Sequence, residues 1–265
     1  MNTPTLSIVV VGMNHLCYLK NLFKSLFEEY LPKTSFEVIY IDNCSSDGSV
    51  EYLKINYPQV IIYENEIIKG FGENNNYGAS KANGKFLAII NPDIRILDRS
   101  IDVLVEYLNN NKEIGIVVPQ LLNPDMSIQY SVRTFISLNI LFWRFIHKGD
   151  DSSSNRHTSK YLRKDMDVDK IQSVEWAIGA AMFMTKKHYN ELNGFDQDYF
   201  LYMEDEDLCL RSWKMSKPVV YNPLSKMIHD HQRSSNKLNK KTWMHLKSMY
   251  TFFKKHGLNI KINEQ

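Results

Sequence analysis

The chain has 265 residues, 43% of them hydrophobic and 23% charged, proportions that exclude global disorder, a collagen-like repeat and a coiled-coil rod. Its net charge of +2 is unevenly placed. From His231 to Asn263 there are eight lysines and arginines and no acid, whereas residues 1–230 hold 24 basic and 29 acidic residues, and that acidic body argues against nucleic-acid binding.

Leu6–Val11 is a short apolar run of the kind found in buried parallel strands. Leu19, Leu22, Phe23, Leu26, Phe27 and Tyr30 then recur at helical spacing, with Pro32 beyond them. Phe36–Ile41 predicts a second strand, closed by the polar cluster Asp42–Ser49. A helix over Val50–Asn56 and a strand over Val60–Tyr63 follow. Gly70 to Asn76 is a Gly/Asn-rich turn leading into a short helix, and Phe86–Ile90 predicts a strand stopped by Asn91-Pro92-Asp93. A helix carrying Ile101, Leu104, Val105 and Leu108 and a strand Ile114–Val118 complete the first half. This alternation implies a parallel, doubly wound α/β sheet.

The second half is less regular. Phe135–Ile146 is aromatic and apolar, and Lys148–Asp169 is polar and Ser-rich, which predicts a surface excursion. Val174–Thr185 is apolar around Gly179-Ala180-Ala181. The acidic knot Glu204-Asp205-Glu206-Asp207 opens a helical stretch, Leu208–Met215, where acids suit a helix N-terminus.

In an open α/β sheet, ligands bind beyond the carboxyl ends of the strands. Asp42 and Asp93 end two of them, and a carboxylate there can accept from a base N–H or hold a metal with a diphosphate. The plainer reading of Asp42–Ser49 is an Asx-type turn with a helix cap, and that of Asp93 a simple turn. No GxGxxG follows the first strand and no Walker A sequence occurs. Trp176, Phe183, Phe195, Phe200 and Trp213 are expected in the core, with Met182, Met184 and Met203 filling gaps. Cys209 reads as a buried thiol. Cys17, Cys44 and Cys209 share no CxxC spacing, which favours a reducing compartment. No apolar run approaches ~20 residues and the N-terminus lacks a signal-like segment, so a cytoplasmic protein without a membrane span is expected.

The order of segments resembles the family 2 inverting glycosyltransferases of glycosyltransferase A fold. The matching residues are Ser7–Val11, Ile41–Ser49, Lys69–Gly78, Asn91-Pro92-Asp93, Trp176 with Gly179–Met182, Gly194-Phe195-Asp196 and Tyr202–Cys209. The Asn-Pro-Asp variant and the Gly-Phe-Gly turn are most similar to rhamnosyltransferase-like members of bacterial polysaccharide synthesis. The resemblance implies a mostly parallel, Rossmann-like nucleotide-binding sheet flanked by helices, with an integrated acceptor half. Residues 1–120 would bind the nucleotide sugar, 121–235 the acceptor, and 236–265 would form a basic aromatic tail.

The resemblance also implies roles. Asp42 would accept from uracil or thymine N3–H, with Val11 and Gly12 bordering the base. Asn14, Ser45, Gly70, Phe71, Asn75 and Asn91 would contact the nucleotide or donor, and Gly179 and Ala180 would line the sugar. Asp93 would ligate Mg²⁺ or Mn²⁺, joined by His229 or His231; Asn91 stands where the family's metal motif has its first Asp. Asp205 would be the base, with Glu204 raising its pKa by like-charge repulsion.

The implied activity is transfer from a UDP- or dTDP-sugar, dTDP-rhamnose favoured, to a saccharide or polyprenyl-diphosphate-saccharide. The alternatives are a sugar-nucleotide pyrophosphorylase, disfavoured by the missing Gly-rich loop, and an inactive nucleotide-sugar-binding or scaffold protein. The tail, with Trp243, Tyr250, Phe252 and Phe253 among its lysines, is expected to rest on the inner membrane face.

Overall fold

A computed structural model describes residues 3–146, 155–230, 240–258, 260 and 262. The first half runs β1 (Leu6–Gly12), α1 (Leu16–Lys24) with a π-helical turn (Ser25–Glu29), β2 (Phe36–Asp42), α2 (Ser49–Asn56), β3 (Ile61–Glu64), α3 (Phe71–Lys81), β4 (Phe86–Ile90), β5 (Ile94–Ile96), α4 (Ser100–Asn110) and β6 (Ile116–Leu122). The second half runs β7 (Val132–Arg133), α5 (Leu138–Ile146), α6 (Arg156–Tyr161), β8 (Gln172–Val174), β9 (Trp176–Ala177), β10 (Ala181–Thr185), α7 (Lys186–Glu191), α8 (Glu204–Lys214), β11 (Val219–His229) and α9 (Lys240–His256).

Strands β3-β2-β1-β4-β10-β6-β11-β5 form one sheet, with β8 attached to β11. It is mostly parallel, as expected, through β3-β2-β1-β4 and β6-β11. It is not doubly wound throughout, because β10 enters antiparallel between β4 and β6. The two halves of the chain thus share one sheet. Alternate residues of β1 feed opposite faces: Ile8 and Val10 pack into one hydrophobic core, Val9 into the other.

Three local differences have physical causes. Gly70–Asn76 is not a turn before a helix: α3 starts at Phe71. Its asparagines read as loop residues but have tertiary partners, the Asn76 amide donating to Phe195 O at 2.8 Å and its oxygen accepting from Phe195 N at 2.8 Å. Gly78 is needed for close packing, since a Cβ there would lie 2.5 Å from Val9 Cγ1. Strand β6 runs past Val118 through Pro119, opposite a register shift between Asn222 and Lys226 of β11, where a missing N–H is tolerated.

The polar stretch after Lys148 is not wholly a surface excursion. From Asn155 onward it forms α6, whose Tyr161 is buried with Leu162; residues 147–154 lie outside the described residues. The C-terminal segment is no free tail either. Phe252 is fully buried, Ser248 Oγ donates to Leu201 O at 2.9 Å, and His256 Nε2 lies 2.7 Å from Asp207 Oδ1. Trp243 and Tyr250 are left exposed. Among the core aromatics, Trp176, Phe183 and Phe195 are buried as expected, but Phe200 is exposed.

Candidate active site

The carboxyl ends of β1 and β2 bring Gly12 level with Asp42. Asp42 is buried, and both its oxygens are engaged: Oδ2 accepts from Ser45 N at 2.8 Å and Oδ1 from the Tyr40 hydroxyl at 3.2 Å. The Asx-type turn is therefore real. Burial and the adjacent Asp42 raise the Tyr40 pKa, so its hydroxyl keeps the proton it donates. Each carboxylate oxygen has a second lone pair, which leaves acceptor capacity for a base N–H.

Asn14, in the left-handed region at φ 56°, donates its N–H to Ser45 Oγ at 3.0 Å and accepts from Ser46 N at 2.8 Å. Asp47 ties down both helices here, accepting from Leu16 N and Ser49 N. Val11 leads into this edge, and no side chain fits at Gly12, where a Cβ would lie 2.4 Å from the Tyr40 hydroxyl. Asn43 bonds both the N–H and the carbonyl of Lys69, which places Gly70 and Phe71 beside this edge. Asn75 is not brought here: it is buried and donates to Phe71 O within its own helix.

Asn91 N donates to Ala180 O at 2.8 Å, so the Asn-Pro-Asp turn lies against the Gly179-Ala180 segment. Asp93 Oδ1 is buried without a hydrogen-bond partner and lies 3.5 Å from His229 Nε2. On its other side His229 Nδ1 lies 2.6 Å from Gln129 Oε1, while the Gln129 amide bonds His229 O and Asn123 Oδ1. That arrangement suits a proton on Nδ1 and directs the Nε2 lone pair toward the carboxylate. An orphaned carboxylate oxygen beside an imidazole nitrogen is a donor set that fits a divalent cation. Among the described residues no group of three or more His, Cys, Asp or Glu could hold a metal, so the protein supplies at most part of a coordination shell. His231 lies outside the described residues.

At the start of α8, Asp205 Oδ2 accepts from Gly179 N at 2.9 Å and Oδ1 from Glu206 N at 2.9 Å. A Cβ on Gly179 would lie 3.3 Å from Asp205 Cβ and 3.8 Å from Phe71, so Phe71, Gly179 and Asp205 meet at one point. The helix is entered through Tyr202 and Met203, both at φ 70°. Left-handed backbone at two non-glycine residues costs of order 1–3 kcal/mol each.

Burial raises the Asp205 pKa, and the two backbone donors oppose that rise. Burial and the Asp205 charge raise Glu204 well above the ordinary range, and its Oε2 has no partner. The Asp205 charge is one of the causes that raise Glu204. Asp205 has two backbone donors, Gly179 N and Glu206 N, on its carboxylate. Asp207 is structural, paired with Arg211 at 2.7 Å and with His256.

Glu206 is also raised well above its ordinary value by burial, while Ile136 N donates to it at 2.7 Å. An acid whose folded pKa is raised stabilises the fold below its unfolded value, and that contribution is lost as pH rises toward the folded one. Glu206→Gln keeps the acceptor and removes the ionisation. Its Tm should exceed that of wild type by more at pH 8 than at pH 5; an equal margin at both would remove this account.

Sequence reasoning did not find Gln129 or Arg133 as parts of this region, nor the left-handed backbone at Tyr202. Gln129 and Arg133 carry no local signal, and the strained backbone at Tyr202 exists only in three dimensions.

Residues 7–179 match the family model for glycosyl transferase family 2. An N-acetylglucosaminyl-diphospho-decaprenol L-rhamnosyltransferase of Mycobacterium tuberculosis is 26% identical over 246 residues, covering 89% of this chain and 79% of that protein. The rhamnosyltransferase WbbL of Escherichia coli K12 is 25% identical over 258 residues, covering 92% and 91%. In fold, the chain is similar to GalNAc-T7 solved with UDP, GalNAc and Mn²⁺, with a TM-score of 0.67 at 16% identity, covering 89% of this chain and 45% of that one. It is also similar to the mannosyltransferase PcManGT from Pyrobaculum calidifontis in complex with GDP-Man and Mn²⁺, with a TM-score of 0.63 at 14% identity, covering 99% and 66%.

Proposed function

Because the chain belongs to glycosyl transferase family 2, we propose that it is an inverting enzyme moving a sugar from a UDP- or dTDP-linked donor, dTDP-rhamnose favoured, to a lipid-linked saccharide. The observation that carries this reading is Asp205, whose carboxylate accepts from Gly179 N and Glu206 N against the segment that meets the Asn91–Asp93 turn. Rhamnosyl transfer is supported by the two relatives that bear that name.

Asp42 accepts from the pyrimidine N3–H, with Val11 and Gly12 along the base. Gly179 and Ala180 leave room for the sugar. Asp93 and His229 would hold Mg²⁺ or Mn²⁺, whose positive charge offsets that of the departing diphosphate. Asp205 takes the proton of the acceptor hydroxyl while that oxygen bonds the anomeric carbon. The bond to the nucleoside diphosphate breaks on the opposite face, so the configuration inverts. The test is incubation of each nucleotide sugar with a prenyl-diphosphate N-acetylglucosamine and analysis of the product's anomeric configuration. A rhamnosylated, inverted product is expected; nucleotide binding without transfer would favour a binding protein of this fold.

The same reading places the enzyme on the inner membrane face through α9, whose Trp243, Leu246 and Tyr250 are exposed on one helix. Basic residues near an anionic surface contribute ~1 kcal/mol each, and Lys247 and Lys254 accompany that face. Among the described residues no helix is long and apolar enough to cross a membrane. Co-sedimentation with anionic vesicles should fall as salt is raised; absent or salt-insensitive binding would reject the contact.

A further inference from the structure

Tyr40 is a phenol in an apolar core. It precedes Asp42 by two positions on β2, so both side chains leave the strand on the same face. Its side chain is fully buried in the cluster that holds Ile8, Val10, Leu19, Val38 and Leu53. A hydroxyl in such a setting is costly unless it finds a hydrogen-bond partner. The partner here is Asp42 Oδ1, at 3.2 Å. The same hydroxyl also bears on the neighbouring strand, because a Cβ at Gly12, the residue paired with Asp42, would lie 2.4 Å from it. Tyr40 thus underlies two of the residues that border the proposed base.

The Asp42 carboxylate is held from two directions. The phenol meets one of its oxygens and Ser45 N the other, at 2.8 Å. The backbone beneath is fixed in turn, since Asn43 N donates to Gly12 O at 2.8 Å and Asn65 N to Asp42 O at 2.9 Å. A short side chain pinned at both oxygens is held in one orientation, and a recognition group already in its bound orientation loses less freedom when the ligand arrives. The Ser45 contact comes from the backbone. The Tyr40 contact is a single hydroxyl, which can be deleted while the ring that fills the core is kept.

We propose that Tyr40 is a positioning residue for pyrimidine recognition, its hydroxyl fixing the Asp42 carboxylate in the orientation that meets the N3–H of uracil or thymine. Tyr40 itself touches no substrate. Because the phenol donates, it takes up one acceptor site of Oδ1, and what the carboxylate still offers a ligand is acceptor capacity alone. That suits a base with a ring N–H. This assignment rests on the reading of Asp42 given above.

The test is calorimetric titration of wild type, Tyr40→Phe, Asp42→Ala and the double variant with UDP, with dTDP and with ribose 5-diphosphate, which lacks the base. Wild type should bind the better of the two nucleotides more tightly than ribose 5-diphosphate. Tyr40→Phe should lose about fivefold in affinity for that nucleotide, the worth of one hydrogen bond. Its affinity for ribose 5-diphosphate should stay at the wild-type value, which also shows that the variant is folded. In the Asp42→Ala background the same substitution should cost nothing further, because the hydroxyl acts through the carboxylate. A phenol that only fills the core would give no such dependence on Asp42. If Asp42→Ala weakens nucleotide binding while Tyr40→Phe does not, or if the two losses add in full, this proposal fails alone. If Asp42→Ala binds the nucleotide as wild type does, the reading of Asp42 fails and takes this proposal with it.

Discussion

Asp205→Asn should lower sugar transfer by ~10²–10⁴, the usual worth of a positioned general base, while nucleotide affinity and Tm stay close to wild type. The amide oxygen can still accept from Gly179 N or Glu206 N, the two bonds that hold the carboxylate, but it cannot take the acceptor's proton. Glu204→Gln should cost far less, because Glu204 is buried, has no hydrogen-bond partner at Oε2 and is pushed well above the ordinary carboxylate range by burial and the Asp205 charge. The comparison needs transfer rates and nucleotide affinities for both variants. Wild-type turnover in Asp205→Asn with a dead Glu204→Gln would move the base to the neighbour. The pH profile gives a second check: the raised Asp205 pKa puts the acidic limb of transfer above the ordinary aspartate range, with activity rising as the carboxylate ionises.

Asp93→Ala should abolish the divalent-dependent part of nucleoside diphosphate binding, and His229→Ala should weaken it less. Asp93 supplies the buried oxygen that has no hydrogen-bond partner and lies 3.5 Å from His229 Nε2, whereas His229 is already oriented by Gln129. An anionic ligand contributes both charge and a hard oxygen, an imidazole only a neutral nitrogen. Calorimetry with Mn²⁺ and with EDTA measures this directly. If wild type and Asp93→Ala bind the nucleotide equally, and neither responds to EDTA, these residues do not hold a metal.

Much of this molecule was determined by local sequence. The apolar runs at Leu6, Phe36 and Phe86 form β1, β2 and β4 because buried parallel strands are apolar on both faces. Asp42 and Asp93 end up at one sheet edge because that topology leaves every parallel strand's carboxyl end on the same side. The acidic knot starts α8 because carboxylates stabilise the free N–H groups of a helix N-terminus.

What tertiary structure decided is of another kind. Strand β10 runs antiparallel between β4 and β6, and a strand buried on both faces has the same composition whichever way it runs. The asparagines after Gly70 read as a loop because their partners, Asn65 and Phe195, are supplied by distant segments. Phe252 and His256 of the basic tail join the core and Asp207, although a lysine-rich aromatic helix carries no mark of what it packs on. A single residue of separation puts the Asp205 carboxylate on Gly179 N and Glu206 N and leaves Glu204 Oε2 in the core without a hydrogen-bond partner. Sequence places both acids in the same turn of helix; only the fold brings Gly179 N to one of them, Asp205.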